Sequence, residues 1–163
     1  MAKGNNQKLK LLYLTKIFME KTDESHALTL AEITAQLNAY EVTADRKTLY
    51  LDFEELKRYG LDIVSEQCGK TVVYHLASRQ FELAELKLLV DSVQSAKFIT
   101  EKKSNSLIKK LESLVSEHEA KQLHRQVITA GRVKTMNESI LINVDSIHAA
   151  ISDNKQITFQ YFQ

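Results

Sequence analysis

Apolar residues recur at intervals of three and four positions in the early part of the chain, which is the spacing of amphipathic helices. One such stretch runs from Leu9 to Met19. A second follows Thr29 and Glu32, whose Thr-x-x-Glu spacing is that of a capping box, and continues to about Asn38. The pattern therefore predicts two helices separated by a polar segment.

A third helix is predicted after a short connection. Thr43 or Asp45 has a suitable side chain for its N-cap, and the helix runs to about Tyr59. Gly60 then supplies a residue that readily adopts the left-handed conformation ending many helices. The apolar residues of this helix form one narrow stripe, which leaves the opposite face polar.

The spacing of the apolar residues changes after the third helix. Residues 62–66 and 71–76 are rich in β-forming side chains, and residues 67–70 between them include a glycine. This pattern predicts a β-hairpin. Two helices are joined by a short turn, the second of these helices opens with basic residues, and a β-ribbon follows it. This order of elements indicates a winged helix-turn-helix over residues 1–78.

The second half of the chain is predicted to be helical again. One helix covers residues 81–98, Ser104 caps another that extends to Val115, and a weaker helix covers residues 117–127 before a loop at Gly131. We interpret residues 79–136 as a helical linker or dimerisation region. The apolar faces of these helices either pack against one another within the chain or form a dimer interface.

The last part of the chain, residues 137–163, has weaker signals. Asp145 can cap a short helix that reaches Ile151, and residues 156–162 alternate polar and apolar side chains as a half-buried strand does. Within this sequence such a strand has no partner except the hairpin, so we expect it to begin a sheet whose other strands are missing. The fold class is therefore mostly α with a small β-hairpin wing.

Charge and composition set limits on function. The 22 Lys and Arg residues nearly balance the 21 Asp and Glu residues, so any surface for nucleic acid must be a local patch. Cys68 is the single cysteine and cannot form an internal disulfide. The sequence contains neither an N-terminal signal segment nor an apolar run of membrane-spanning length, which predicts a cytoplasmic protein without a membrane partner.

The third helix carries the candidate chemistry. In a helix-turn-helix, the N-terminal end of the second helix of the motif enters the major groove, where Arg and Lys suit guanine acceptors or phosphates and hydroxyls suit phosphates. The free amides of the first helical turn also bind phosphate. The candidate contacts to double-stranded DNA, including one at the wing tip, are Thr43, Arg46, Lys47, Thr48, Tyr50 and Lys70.

Other chemistry has little support in the sequence. His118 and His124 are six residues apart and do not share a helix face, and one cysteine is too few for a structural zinc site. A nucleophile elbow and a glycine-rich phosphate loop are also missing, so we expect neither an enzyme nor a bound metal or cofactor. A run of basic residues is either a solvated face, which we favour, or a second contact to phosphate: Lys121, Arg125, Arg132 and Lys134.

Residues 45–50 and 55–63 resemble the recognition helix and wing entry of WYL-domain transcriptional regulators. Residues 79–89, 102–104 and 132–138 are similar to the helical linker of the Firmicutes-type members, and residues 147–161 to the start of their WYL domain. The resemblance thus extends over almost the whole chain, and its specificity lies in the order of these segments.

This resemblance implies an N-terminal winged helix that binds DNA as a dimer. It also implies a C-terminal WYL domain, a small Sm-like β-barrel that senses a ligand, often a nucleic acid or nucleotide. The chain has no tryptophan, so it lacks the Trp-Tyr-Leu signature, and residues 137–163 correspond to a WYL-like domain truncated after its first strand. Leu51 departs from the family, which usually has a polar or charged residue there.

Two hypotheses follow. The first is a sequence-specific regulator that binds double-stranded DNA as a homodimer formed through residues 81–127. The second is a winged helix that binds a protein instead, which the balanced charge and the acidic residues Glu54 and Glu55 favour. A clustered basic surface on the third helix and the wing would favour the first hypothesis.

Overall fold

Helices and one small sheet make up the computed structural model, which describes residues 6–127 and 134–160. The described residues are mostly helical with a small three-stranded antiparallel sheet, which confirms the predicted mostly-α fold class with little β-structure. A 3-10 turn at Gln7–Leu9 precedes the first helix. The helices α1 to α7 are Lys10–Lys21, Leu30–Ala39, Arg46–Tyr59, Leu83–Ser95, Glu101–Glu112, Glu117–Val127 and Ile140–Ser152. The strands β1 to β3 are Leu28–Thr29, Ile63–Cys68 and Thr71–Leu76.

The first three helices and the sheet enclose one hydrophobic core. Helix α1 buries the side chains of Leu14 and Phe18, α2 those of Ile33 and Leu37, and the sheet closes the core from below with residues such as Leu76. Each helix contributes positions three or four residues apart, as its apolar stripe predicts. Burial of this shared apolar surface therefore holds the three helices and the sheet together.

The predicted signals at the ends of α2 and α3 are present. Thr29 and Glu32 form the reciprocal capping box of α2. Of the two possible caps of α3, the structure uses Asp45, whose carboxylate accepts hydrogen bonds from two backbone amides of the first turn. Gly60 has a φ of 112° and ends α3 in the left-handed region.

The sheet has the strand order β1-β3-β2, so β3 lies in the centre. The hairpin between β2 and β3 has the predicted position: Cys68 pairs with Thr71, and Gly69 takes a φ of 61° in the two-residue turn. Strand β1, which pairs Leu28 with Tyr74, is missing from the sequence prediction. Two residues are too few for an alternating pattern to be recognised.

Helices α4, α5 and α6 enclose a second core. Its buried side chains are Leu86, Val90, Ile108, Val115 and Leu123. The apolar faces predicted for these helices thus pack against one another within the chain, which is one of the two arrangements that the sequence allowed.

The predicted cap of α5 is wrong. Thr100 is the N-cap, because its extended backbone lets its hydroxyl accept a hydrogen bond from the Lys103 amide, whereas Ser104 already lies inside the helix and is buried. The helix also ends at Glu112, so Val115 belongs to the connection to α6.

The favoured prediction that the basic run forms a solvated face is wrong for Lys134. Its ammonium group donates hydrogen bonds to the carbonyl oxygens of Val93 and Ala96 and to the hydroxyl of Ser104. The two carbonyls belong to the C-terminal end of α4, where a positive charge is favourable. Lys134 therefore joins the end of α4 to the first turn of α5. The predicted loop at Gly131 lies outside the described residues.

Two predictions for the C-terminal part are also wrong. Helix α7 begins at Ile140 and not behind Asp145, because the hydrogen-bond ladder starts upstream with the Asn143 amide bonded to the Ser139 carbonyl. The predicted strand is not formed over residues 156–160, which are exposed and pair with no other strand in the described part of the chain. An alternating pattern produces a strand only where a neighbouring strand accepts its hydrogen bonds. Residues 161–163 lie outside the described residues.

The two cores meet at the start of α6, where polar side chains connect them. Asp23 is buried, and its carboxylate accepts hydrogen bonds from the Ser116 hydroxyl, the His26 ring and the Ser25 amide. The rings of His26 and His118 stack in parallel, with centroids 3.7 Å apart. Hydrogen bonds to a buried carboxylate and the stacked histidine rings therefore connect the two cores.

Truncation of a side chain in the second core should be costly only where that side chain is buried. Leu86 is 0% exposed and Leu88, on the same helix, is 70% exposed. We expect Leu86→Ala to lower the free energy of unfolding by about 2–5 kcal/mol, and Leu88→Ala by less than about 0.5 kcal/mol. Urea denaturation of both variants measures the difference, and equal losses would contradict the assignment of this core.

The junction at Asp23 should also make the free energy of unfolding depend on pH. Burial alone raises the pKa of Asp23, but the hydrogen bonds from Ser116, His26 and Ser25 together hold it below its ordinary value. As the pH falls, the Asp23 carboxylate therefore becomes protonated at a higher pH in the unfolded chain than in the folded one. The stabilisation is complete above the unfolded pKa of about 3.9 and is lost as the pH falls through the folded one.

We expect Asp23→Asn to reduce the loss of stability that occurs as the pH falls below about 5. The control is Asp91→Asn, which changes an exposed carboxylate on α4. Urea denaturation at several pH values measures how the free energy of unfolding changes with pH. If the free energy of unfolding depends on pH in Asp23→Asn as it does in the unmodified protein, Asp23 is not the origin of the acid dependence.

Candidate nucleic-acid interface

Helix α3 is fixed on the first core by one buried stripe. Leu49, Phe53 and Leu56 are all buried, and they recur at the spacing of one helix face. An ion pair adds a lateral contact, since the Lys10 ammonium lies 2.6 Å from the Asp52 carboxylate. These contacts hold α3 on the core and leave its N-terminal residues facing solvent.

Arg46 and Tyr50 form a pair on the exposed face of α3. The Arg46 Nε donates a hydrogen bond of 3.0 Å to the Tyr50 hydroxyl oxygen, and the guanidinium carbon lies 5.6 Å from the centre of the Tyr50 ring. One helical turn separates the two residues, which brings their side chains together. The remaining guanidinium N–H groups have no partner among the described residues, so they can bind a ligand.

The pair changes the protonation equilibria of both side chains. The hydrogen bond to Tyr50 raises the pKa of Arg46 above its ordinary value. The same bond, together with the neighbouring Tyr74 hydroxyl, lowers the pKa of Tyr50. Burial is the main cause that raises the pKa of Tyr74 to about 12. Tyr50 is therefore the more acidic of the two neighbouring phenols, and its hydroxyl is polarised.

Three of the predicted contact residues line one groove. Arg46 and Tyr50 form one wall and Lys70 at the hairpin turn forms another, around a space of about 660 Å³. Helix α2 contributes the third side with residues that include Thr34 and Asn38, which sequence analysis missed. Their spacing of four residues, which places them on one face of α2, was the available signal. The groove thus combines cationic, hydroxyl and amide groups from α2, α3 and the hairpin.

The other predicted residues lie outside this groove. The Thr43 hydroxyl accepts a hydrogen bond from the Gln7 side chain. The Thr48 hydroxyl donates to the Asp45 carbonyl. The prediction that the first amides of α3 are free to bind phosphate is wrong, because the Asp45 carboxylate accepts from the amides of Lys47 and Thr48. Phosphate binding at this helix end would have to displace that cap.

Charge along α3 is unevenly compensated. Glu54 forms an ion pair of 3.0 Å with Lys57, and Glu55 forms one of 2.9 Å with Arg58. Lys47 is exposed and has no such partner within the described residues. The N-terminal end of α3 therefore keeps the uncompensated cations Arg46 and Lys47, while the acidic residues are neutralised on their own helix.

A search with this chain finds no matching protein family, curated protein or solved structure. The likeness to WYL-domain regulators thus depends on the sequence segments alone. Among the described residues, groups of three or more His, Cys, Asp or Glu side chains arranged to hold a metal ion are absent. In the same residues the helices are too short or too polar to span a bilayer.

The Arg46–Tyr50 contact can be tested by titration. We expect Arg46→Ala to raise the pKa of Tyr50, because the substitution removes a charged donor to the phenol oxygen. Arg58→Ala, which removes a guanidinium from the opposite end of α3, should leave it unchanged. Carbon-13 NMR of labelled tyrosine as a function of pH measures the shift, and an unchanged Tyr50 titration in Arg46→Ala would exclude the contact in solution.

Proposed function

We propose that residues 6–78 form a winged helix-turn-helix and that the protein is a sequence-specific regulator that binds double-stranded DNA. The observation that carries the proposal is the convergence of Arg46, Tyr50 and Lys70 on one groove bordered by α2. A three-helix unit with a hairpin after the third helix has the order of elements found in this class of DNA-binding domain.

In this proposal the N-terminal end of α3 enters the major groove. Arg46 has N–H groups available for the O6 and N7 acceptors of a guanine, which is the commonest specific contact of arginine. Lys47 supplies an uncompensated charge for a phosphate. Lys70 lies at the tip of the hairpin and contacts the neighbouring backbone. The polarised Tyr50 hydroxyl donates to a phosphate oxygen or a base acceptor.

A homodimer belongs to the same proposal, since two copies would read two half-sites of a symmetric operator. The inner faces of α4 and α5 are already used within the chain, where Leu86 and Ile108 lie in one core. Dimerisation through residues 81–127 would therefore have to use the outer surfaces of these helices. Sedimentation with and without DNA distinguishes monomer from dimer.

One observation favours the alternative function, a module that binds a protein. Leu51 is 68% exposed on the outer face of α3, where a DNA-binding helix usually has a polar side chain. In the DNA-binding proposal this side chain contacts a thymine methyl group. We prefer DNA because Glu54 and Glu55, the acidic residues that favour a protein partner, are each neutralised by a neighbouring cation.

The decisive experiment compares DNA binding of matched variants. Duplexes selected by the protein from a randomised pool, and scrambled versions of them, are titrated by fluorescence anisotropy over a salt series. We expect Arg46→Ala to weaken binding to the selected duplex by about 1–3 kcal/mol. Lys47→Ala should lower the affinity for both duplexes. It should also reduce the slope of the logarithm of affinity against the logarithm of salt concentration by about one.

Arg58→Ala is the control, because it removes a cation of the same helix that is already paired with Glu55. It should bind both duplexes as the unmodified protein does. Failure of the unmodified protein to bind any duplex at low salt would overturn the proposed function and favour a protein partner. Equal effects of Arg46→Ala and Arg58→Ala would overturn the placement of the site.

A further inference from the structure

A cleft of about 740 Å³ lies where the two cores meet. Its lining comes from both parts of the chain: residues 23–26 and 76–79 from the part around the first core, and residues 81–84, Glu119 and Gln122 from the part around the second. A cleft of this volume accommodates a small organic molecule. A ligand bound there would contact the elements of both cores at once.

Arg79 is a firmly held side chain of this lining. One of its terminal nitrogens, Nη2, donates hydrogen bonds to the carbonyl oxygens of Met19 and Thr22 at the C-terminal end of α1, at 2.8 and 2.6 Å. The side chain is only 10% exposed. Its Nε–H group, in contrast, has no hydrogen-bond partner among the described residues. Arg79 therefore combines a fixed position with an unused donor.

Glu119 of α6 supplies the matching acceptor. Its Oε2 lies 3.9 Å from the Arg79 Nε, which is too far for a hydrogen bond, and this oxygen is also buried without a hydrogen-bond partner among the described residues. Burial lowers the pKa of the Arg79 guanidinium, and the carboxylates of Glu119 and Asp23 offset only part of that effect. Because buried polar atoms without partners cost free energy, a ligand that bonds to both atoms would be stabilised.

The charges around this pair restrict the ligand. The described lining contains one guanidinium and four carboxylates: Asp23, Glu24, Glu82 and Glu119. Asp23 already accepts hydrogen bonds at the junction, whereas Glu24 and Glu82 are exposed. A simple anion would be repelled by these carboxylates, and a simple cation would leave the Arg79 donor unused. The ligand that fits carries both charges on neighbouring groups.

We propose that this cleft is a binding site for a small zwitterion of the α-amino acid class. The Arg79 Nε donates to the ligand carboxylate, and the ligand ammonium group donates to the Glu119 carboxylate. In an α-amino acid the nitrogen and the carboxylate oxygens are about 3 Å apart by standard bond lengths, which is close to the 3.9 Å that separates the two protein atoms. Since both atoms are buried, the ligand must part this loose ion pair, and it replaces the pair with two charged hydrogen bonds.

The test uses the full chain and does not depend on DNA binding. The twenty free L-amino acids are screened at millimolar concentration by two-dimensional NMR of the labelled protein, and isothermal titration calorimetry measures the affinity of those that bind. We expect saturable shifts of the backbone amides of residues 24–26, 77–84 and 119–122. The α-amide and the deaminated acid of the same compound, which each lack one of the two charges, should bind about tenfold more weakly or less.

Variants of α6 locate the site. Glu119→Gln should weaken binding of the amino acid about tenfold, because it removes the charge that accepts the ammonium group. Glu117→Gln is the matched control: it removes a charge from the same helical turn, pairs with Lys21 and does not line the cleft. It should bind as the unmodified protein does. Thermal unfolding followed by circular dichroism establishes that both variants are folded, and the ligand analogues test the pairing on the unmodified protein.

Three results would overturn the inference. The first is the lack of any saturable shift in the cleft with all twenty amino acids. The second is an α-amide or deaminated acid that binds as tightly as the amino acid, which would exclude recognition of both charges. The third is an equal loss of affinity in Glu119→Gln and Glu117→Gln, which would place the ligand elsewhere. A protein that binds an amino acid in this way but no DNA would support the cleft and refute the proposed function.

Discussion

The packing of Phe53 between two other aromatic rings determines where the third helix lies. Its ring meets Phe18 of the first helix edge-on at 5.3 Å and Tyr74 of the central strand at 5.1 Å. Aromatic contacts of this kind bury large areas and restrict ring orientation. Because the helix is rigid, fixing Phe53 also fixes the two turns before it, which contain Arg46 and Tyr50. The geometry of the groove therefore originates in the core.

Sequence patterns predicted the helices well where the signals were local. The capping box at Thr29, the stripe of the third helix and Gly60 depend on neighbouring residues alone, and the structure confirms them. The predicted caps Ser104 and Asp145 were wrong because a capping side chain is effective only where the preceding backbone leaves the helix. The strand at residues 156–160 was wrong for a related reason, since a strand needs a partner that no local pattern supplies.

The candidate site was only partly predictable. Arg46 and Lys70 were identified by their places at the helix start and the hairpin turn, but their meeting in one groove depends on how the hairpin packs. The contact of the Tyr74 ring with Phe53 could not be predicted, because it depends on strand register: a shift of one residue would turn its side chain to the other face of the sheet. The bonds that Asp45 forms with the amide and the hydroxyl of Thr48 depend on which of the two possible caps, Thr43 or Asp45, the helix uses, and the sequence left that choice open.

The nearly neutral chain is compatible with DNA binding because the arrangement of charge matters more than its total. Non-specific affinity grows with the number of phosphates neutralised. On the third helix Lys57 and Arg58 are each paired with a glutamate, which leaves few cations for such contacts. Under the proposed function, such a surface would bind random DNA weakly, so a larger share of the affinity for a selected duplex would come from directed hydrogen bonds at base edges. Under the proposed function, that dependence makes the orientation of the Arg46 guanidinium important, and the hydrogen bond to the Tyr50 hydroxyl is the contact that fixes it.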